Sequence, residues 1–586
     1  MFELLKTESK HTKYFYFFLC FTFFISCFLM LPFCRINLIK ITEVILRKKL
    51  SFEFWNRVIL YTLTTISSFS FYWLLFSFFY YYVKSHKFNL KQTLILISLL
   101  LFIISSLVQI VLLYDGIVYG ADDPAYVIIA KAIAENTYKT DFLHMQYTIG
   151  YPILIAVIIK IFGMNFFAIK LVNVFLYATF VVVLFNLLFS LVKDLQISLF
   201  ISSLFCLNFT IANWQNHTMS DTPCMVFSLF CLALIYSIYF TKSQNKYFKS
   251  ILLGFCFFIA YECRINGIVC LLALFSTQFL ICISKIFLKS KVLHELTDSY
   301  VKTDWKIHLT PYIIFIIFLI LQKIFYPDLP RKDLHFLEGL SIKSFFQHFQ
   351  FFYIIYEFFN SAWNKLFHQF NILSKIAFYS SLILALYGLI KNWKKLPFFL
   401  IFTIGNTVTY CLWGGFGGIR FYFPLFISFA VFCAYGVKSI KILFHSEQSS
   451  KIINIIGKFS VICFCAMFTV SIFPFYTKKF KNSIIKNGHS YSVEAQDIWA
   501  YINENIPDDK TFIFRSPREL WLYTKHEIAA FDQKPDYYLH SFETPIDEEL
   551  RNVLSDEIVS EDRIEIDGRE FELEYSNDKF KLFCAF

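Results

Sequence analysis

Apolar stretches of roughly 18 or more residues recur along most of this chain, each long enough to cross about 30 Å of hydrocarbon. Only 17% of the 586 residues are charged and 57% are apolar, whereas soluble domains run nearer one quarter charged. The sequence therefore predicts a polytopic α-helical membrane protein. About thirteen spans fall near 14–34, 58–82, 92–114, 167–192, 195–214, 222–241, 250–264, 265–287, 310–326, 370–391, 396–413, 422–443 and 459–477. The 250–287 stretch fits a hairpin around Arg264 better than one long helix. Fourteen of the fifteen cysteines sit in or beside apolar runs and read as small apolar filler; their spacing offers neither a zinc site nor a disulfide framework. No small-residue cleavage site follows the first apolar run, which is expected to stay as a membrane anchor.

The net charge of +11 conceals an asymmetry. Residues 491–586 carry 10 Lys and Arg against 23 Asp and Glu, a net of −13, which leaves +24 for the rest. That excess clusters at Lys84, Lys87 and Lys91, at Lys193, at Lys242, Lys246 and Lys249, at Lys285, Lys289 and Lys291, at Lys391, Lys394 and Lys395, and at Lys438 and Lys441. With thirteen spans these loops share one side, the cytoplasmic one. The opposite side then receives the loop 115–166, the turn 214–221, the segment 327–369, the loop 414–421 and the tail. The basic loop 35–57 disobeys the rule, and its "INLIKITEVILRKKL" reads as an amphipathic interfacial segment. No basic stripe with interleaved exposed aromatics points to nucleic acid.

The tail reads as a small α/β domain. "TFIF" at Thr511–Phe514 is a short buried strand, "SPRELWLYTKHEI" opens a helix at Ser516 and Pro517, and "FELEYSNDKFKLFCAF" alternates about a turn as a hairpin.

The stretch "GADDPAYVIIAKAIAEN" places Asp122 and Asp123 side by side, seven residues after Asp115. An Asp at the centre of a spanning helix costs roughly 2.5–3.5 kcal/mol. Three of them belong at the outer surface or in a protein-lined cavity. Pro124 fits the first turn of a helix, with Asp123 as its cap. Neighbouring positions on a helix do not face each other, so one acid is expected to cap while the other projects into a site.

The acidic pair, Tyr126 and Ala130, then Tyr151-Pro152 and a short apolar helix ending at Phe162-Gly163, resembles the first external loop of GT-C membrane glycosyltransferases. The nearest branch is the bacterial one related to protein O-mannosyltransferases and lipid A aminoarabinose transferases. The resemblance continues more weakly around Gly254 and Arg264 and around Arg420 and Pro424, and covers residues 92–586. It implies additional N-terminal helices over 1–91, a catalytic membrane module over 92–477 and an extracytoplasmic domain over 478–586. It makes 149–163 a juxtamembrane helix. It also implies an activity: a sugar leaves a polyprenyl-phosphate donor for a lipid, glycan or protein acceptor outside the membrane, here taken as a bacterial inner membrane.

Such a transfer needs a base for the acceptor hydroxyl and cations for the departing phosphate. By resemblance the base is Asp122, with Asp123 as the fallback. Arg264 lies in an apolar run, where a guanidinium marks function by default; its bland alternatives are a local pair with Glu262 or snorkelling to the interface. Arg420 follows the Gly-rich turn of Gly414, Gly415, Gly417 and Gly418, which lets backbone N–H groups approach an anion. These two are the expected donor-phosphate residues, ahead of Arg331 and Lys332. Asp221 shapes the sugar site by resemblance, or caps the helix that follows it. Tyr126, Lys131 and Tyr151 are expected to line the substrate site, with His144 and Tyr147 nearby. Asp122, Asp123 and His217 could gather around a divalent cation, but no ligand spacing appears, and the expectation is no metal and no other cofactor. The competing reading is a transporter or flippase of a lipid-linked sugar. The absence of repeated halves and the long acidic outer loop favour the enzyme.

Overall fold

The structure is a computed structural model. It describes residues 89–113, 116–117, 122–138, 147–206, 208, 211, 214–241, 245–283, 303–326, 371–393, 397–412, 419–443, 492–514, 516–528, 534–542, 562–566 and 569–586, with isolated positions at 18–25, 66 and 70. The expected spans 14–34, 58–82 and 459–477 and the interfacial segment in 35–57 lie wholly or almost wholly outside the described residues. So do Asp115, His144, Arg331, Lys332 and the glycines of 414–418.

The chain is a multi-pass membrane protein. Among the described residues, six helices are long and apolar enough to cross a bilayer. They belong to α1 (Leu90–Leu112), α4 (Phe166–Val192), α6 (Asp221–Tyr239), α8 (Ile268–Ile283), α9 (Trp305–Phe325) and α12 (Phe423–Leu443). Between them run α2 (Asp123–Glu135), α3 (Gly150–Phe162), α5 (Leu195–Cys206), α7 (Lys246–Cys263), α10 (Asn371–Asn392) and α11 (Pro397–Leu412). The start of α1 is set by a capping box: the Asn89 side chain accepts from the Gln92 N–H, and the Gln92 side chain accepts from the Asn89 N–H.

The core forms where α4, α6 and α12 meet, with Tyr177, Phe180, Phe185, Met225, Leu229, Phe423, Phe426 and Val431 fully buried. The helix α9 packs on α7 and turns Ile313, Ile316, Ile317, Ile320 and Ile324 outward. That stripe would be an aggregation patch in water and is the natural lipid face of a membrane helix.

Two features differ from the sequence expectations. The span expected over 195–214 is a helix of only 12 residues, ending at Cys206. At 1.5 Å per residue it reaches about 18 Å, short of the hydrocarbon thickness. The polar run around Asn208, Gln215, Asn216 and His217 interrupts the apolar pattern; Asn208 is non-helical, Ile211 and Trp214 are helical again, and Asn208, Gln215 and Asn216 are buried. The second concerns the cap of α2. Asp122, not Asp123, occupies the cap position, and its side chain makes no capping bond; Asp123 is the first helical residue, beside Pro124. The capping role expected for Asp123 is therefore corrected. Asp123 still lies where a helix dipole favours an anion. Asn136, in the left-handed region at φ 61°, ends α2.

The chain reverses at Arg264, as the hairpin expectation required. Arg264 is extended (φ −153°, ψ 143°) and a 3-10 turn, Ile265–Gly267, follows. A Cβ on Gly267 would lie 2.1 Å from the Ala260 carbonyl carbon, so the doubling-back is possible only without a side chain there.

The tail begins with α13 (Val493–Asn505), capped by Ser492 through its bond from the Ala495 N–H. Six strands follow: β1 (Thr511–Ile513), β2 (Glu527–Ile528), β3 (Tyr537–Ser541), β4 (Arg563–Ile566), β5 (Arg569–Ser576) and β6 (Phe580–Ala585), with α14 (Pro517–Thr524) between β1 and β2. Their order in one sheet is β2-β1-β3-β6-β5-β4. β1 runs parallel to β2 and β3, and the other pairs are antiparallel. Alternation decides the faces: Phe512, Tyr537, Leu539 and Leu582 join Ile498 and Trp499 of α13, while Ile513, Tyr538 and Phe583 join Ile564 and Phe571 on the other side. The hairpin expected at the chain end is β5–β6.

Candidate active site

The external loop is held down by two close contacts. The Thr148 hydroxyl donates to the Cys263 carbonyl at 2.6 Å. A Cβ on Gly150 would lie 2.6 Å from the Glu262 carbonyl carbon, so the start of α3 rests directly on the end of α7. The Thr218 hydroxyl donates to the Asp123 carbonyl at 3.1 Å, and the Asn173 side chain donates to the His217 carbonyl at 2.8 Å. The start of α2, the corner at Arg264 and the segment before α6 are thereby tied into one floor.

Two carboxylate–guanidinium centres stand on it. In the first, Arg420 donates to Asp122 Oδ2 at 3.1 Å, and the Tyr147 hydroxyl donates to Oδ1 at 2.9 Å. Arg518 of α14 lies 3.5 Å from the same Oδ1 and hydrogen-bonds the Tyr147 hydroxyl. Asp122 remains 29% exposed and its two arginines 19% and 25%. In the second centre Arg264 pairs with Asp221, which is only 5% exposed. The Arg264–Glu262 alternative is set aside by that pairing.

One aromatic ring joins the centres. The Arg264 guanidinium lies 4.6 Å and the Arg420 guanidinium 4.9 Å from the Phe421 ring centroid. Arg420 also lies 5.7 Å from the Trp214 ring, and Arg518 5.1 Å from the Tyr147 ring. Stacking of this kind holds a planar cation without neutralising it. Burial first, and then the Asp122 charge, push the Tyr147 phenol above the ordinary phenol range, so at neutral pH it is a proton donor to the carboxylate.

The remaining expected residues surround this core. Asp123 is fully buried, with Oδ2 3.4 Å from His217 Nδ1; Asp122 and Asp123 therefore point apart, as adjacent helical positions must. Tyr126 shares a 2.8 Å hydrogen bond with Ser220 and meets Tyr147 and Tyr151 edge-on, at centroid distances of 5.0 and 5.7 Å. Tyr151 is fully buried behind it. Lys131 lies two turns along α2, half-buried, and forms no ion pair with either acid among the described residues. Asp221 is the first residue of α6 behind Ser220. Among the described residues no group of three or more His, Cys, Asp or Glu is placed to hold a metal ion.

Sequence reasoning missed Arg518 and gave Tyr147 only a minor place. A signal for Arg518 was present. "RELWLYT" carries Leu520, Trp521, Leu522 and Tyr523 in succession, apolar around its whole circumference, as in a helix covered on more than one side. Leu522 packs into the core of the external loop, while Leu520 packs into the tail core.

No protein-family model and no curated protein matches the sequence. Solved structures do. ArnT from Cupriavidus metallidurans in the apo state aligns over 84% of this chain and 96% of that one, at 10% identity and a TM-score of 0.50. The same protein bound to undecaprenyl phosphate aligns over 84% and 98%, at 9% identity and a TM-score of 0.49. The archaeal oligosaccharyltransferase AglB from Archaeoglobus fulgidus, in complex with an inhibitory peptide and a dolichol-phosphate, aligns over 76% and 69%, at 11% identity and a TM-score of 0.47. The chain has the membrane fold of ArnT, which agrees with the resemblance to GT-C membrane glycosyltransferases seen in the external loop.

Proposed function

We propose that this protein is an inverting membrane glycosyltransferase that moves a sugar from a polyprenyl-phosphate donor to an acceptor hydroxyl on the outer face of the membrane. The observation that carries the reading is the meeting of Asp122 with Arg420, with Arg264 across the shared Phe421 ring. A partly exposed carboxylate next to stacked guanidiniums supplies the two things the reaction needs, a base and a seat for phosphate.

The acceptor oxygen attacks the first carbon of the sugar and passes its proton to Asp122. The bond from that carbon to the phosphate oxygen breaks as the new one forms. The electron pair leaves with the phosphate, already a stable anion that needs no acid. Arg420 and Arg264 hold it as charge builds. A single displacement of this kind inverts the sugar carbon. Arg420 stands between Asp122 and the Phe421 face, so a donor phosphate drawing Arg420 toward itself releases Oδ2 to take the proton. Asp221 keeps Arg264 in place, and Tyr126 and Tyr151 back the loop. The proposed reaction uses no metal and no other cofactor. The membrane is proposed to be a bacterial inner membrane, with the tail outside.

The test is incubation of the purified protein with a panel of labelled polyprenyl-phosphate hexoses and pentoses, using a membrane fraction as the acceptor source and a chelator in a parallel reaction. Release of polyprenyl phosphate with transfer of label, abolished in Asp122→Asn, supports the reading. Movement of intact donor across a vesicle membrane without release would replace it with a flippase.

A further inference from the structure

We infer that Arg518, from the C-terminal tail, is a positioning residue for Asp122, so the active site is complete only when the tail is docked on the external loop. The inference rests on the glycosyltransferase reading and adds to it a site component from a different part of the chain.

Three observations carry it. Arg518 touches both Asp122 Oδ1, at 3.5 Å, and the Tyr147 hydroxyl that donates to the same oxygen, and its guanidinium lies 5.1 Å from the Tyr147 ring centroid. Its direction is fixed by the helix it stands on. Positions four apart share a helix face, and Leu522, four residues on, is 6% exposed in the core that α2 and α3 build. A ring contact between Phe166 and Tyr523, with centroids 6.4 Å apart, adds a second anchor beside it. The helix is also bound on its other side, where Leu520 joins the tail core and Trp499 stacks on Tyr523 at 5.6 Å.

The consequence for Asp122 follows from its lone pairs. A carboxylate offers about four acceptor positions. Tyr147 hydrogen-bonds Oδ1 and the Arg518 guanidinium pairs with it at 3.5 Å, while among the described residues it is Arg420 that meets Oδ2. Oδ1 is thus a fixed hinge supported from the tail, and Oδ2 is the oxygen left to receive a proton when Arg420 shifts to phosphate. Without Arg518 the carboxylate keeps, among the described residues, one phenol on its Oδ1 side and can rotate away from the acceptor.

The experiment uses the full chain in lipid, labelled polyprenyl-phosphate sugars and steady-state kinetics. Arg518→Ala is expected to lower kcat roughly 10- to 100-fold, the effect of one hydrogen bond to a charged group, with donor KM unchanged. Arg518→Lys should recover part of the rate. Millimolar guanidinium should restore Arg518→Ala, and urea should not. In parallel, cysteines at Phe166→Cys and Tyr523→Cys, bridged by a short bifunctional thiol reagent and read by peptide mass spectrometry, report docking independently of activity. Bridging together with a rescued kcat defect supports the inference. Bridging with a wild-type kcat in Arg518→Ala overturns it and leaves the glycosyltransferase reading standing, as does a Phe166→Cys, Tyr523→Cys variant that is active but does not bridge. If Arg518→Ala does not accumulate as folded protein, Arg518→Lys decides by the same kcat criterion. A wild type that releases no polyprenyl phosphate, while its Phe166→Cys, Tyr523→Cys variant bridges, fails the glycosyltransferase reading, and the inference with it.

Discussion

The two carboxylate–guanidinium centres are built from the same chemistry and differ in how far they are withdrawn from water. Asp221 is 5% exposed and has Arg264 as its cation, whereas Asp122 is 29% exposed and is met by two arginines and a phenol. A pair removed from solvent is held together because separating it strands a charge in a poor dielectric. A pair in contact with solvent can exchange partners at little cost. The withdrawn centre is suited to holding Arg264 in place, and the open one to chemistry. The Phe421 ring between them lets one centre brace the other.

The largest expected effect separates the two. Asp122→Asn should reduce sugar transfer by roughly 10²- to 10⁴-fold, the usual contribution of a general base, while thermal unfolding of the detergent-solubilised protein stays at the wild-type temperature. Asp221→Ala, by contrast, should lose stability as well as activity: it leaves Arg264 without its carboxylate and should destabilise the fold by about 3–5 kcal/mol. The double variant Asp221→Leu with Arg264→Met should regain most of that stability, measured in the same melt, but not the activity. Arg420→Lys tests the ring between the centres. An ammonium cannot stack and bond in the same planar fashion, and donor KM should rise about 10-fold with stability little changed.

The smallest effect belongs to a control whose partners, Thr511 and Lys510, belong to neither centre. Asp536 accepts from the Thr511 N–H and hydroxyl at 3.0 and 3.1 Å and lies 3.5 Å from Lys510 Nζ. Burial raises its carboxyl, but these bonds and the Lys510 charge outweigh burial and hold it below the ordinary aspartate value. A depressed carboxyl contributes stability that is fully present above the ordinary value of 3.8 and is lost as pH falls through the lower folded value. Asp536→Asn should therefore cost less than about 1 kcal/mol at neutral pH and flatten the acid limb of tail unfolding, with sugar transfer unaffected.

Much of this arrangement was legible in the chain because each part had a local cause. Asp122 and Asp123 cannot sit in lipid, Pro124 starts a helix, and an Arg between apolar runs at 264 requires a partner. What was not legible depended on partners distant in sequence. Arg264 pairs with Asp221, 43 residues earlier, rather than with its neighbour Glu262. Arg518 lies 371 residues from Tyr147 and reads locally as a polar residue on an exposed helix. Only the apolar surround of α14 hinted at a second surface. The cap of α2 was misassigned because Asp122 gains more from Tyr147 and Arg420 than from free amide groups, a tertiary preference that local capping rules do not contain.

The brevity of α5 has a consequence of its own. Its 12 residues rise about 18 Å, and in the stretch between it and Asp221 the polar Gln215, Asn216, Thr218 and Ser220 are buried. Polar groups of a membrane protein belong against protein or a wet cavity rather than acyl chains. Asp221 therefore reaches Arg264 from a stretch already furnished with polar neighbours, and the ion pair does not have to form against hydrocarbon.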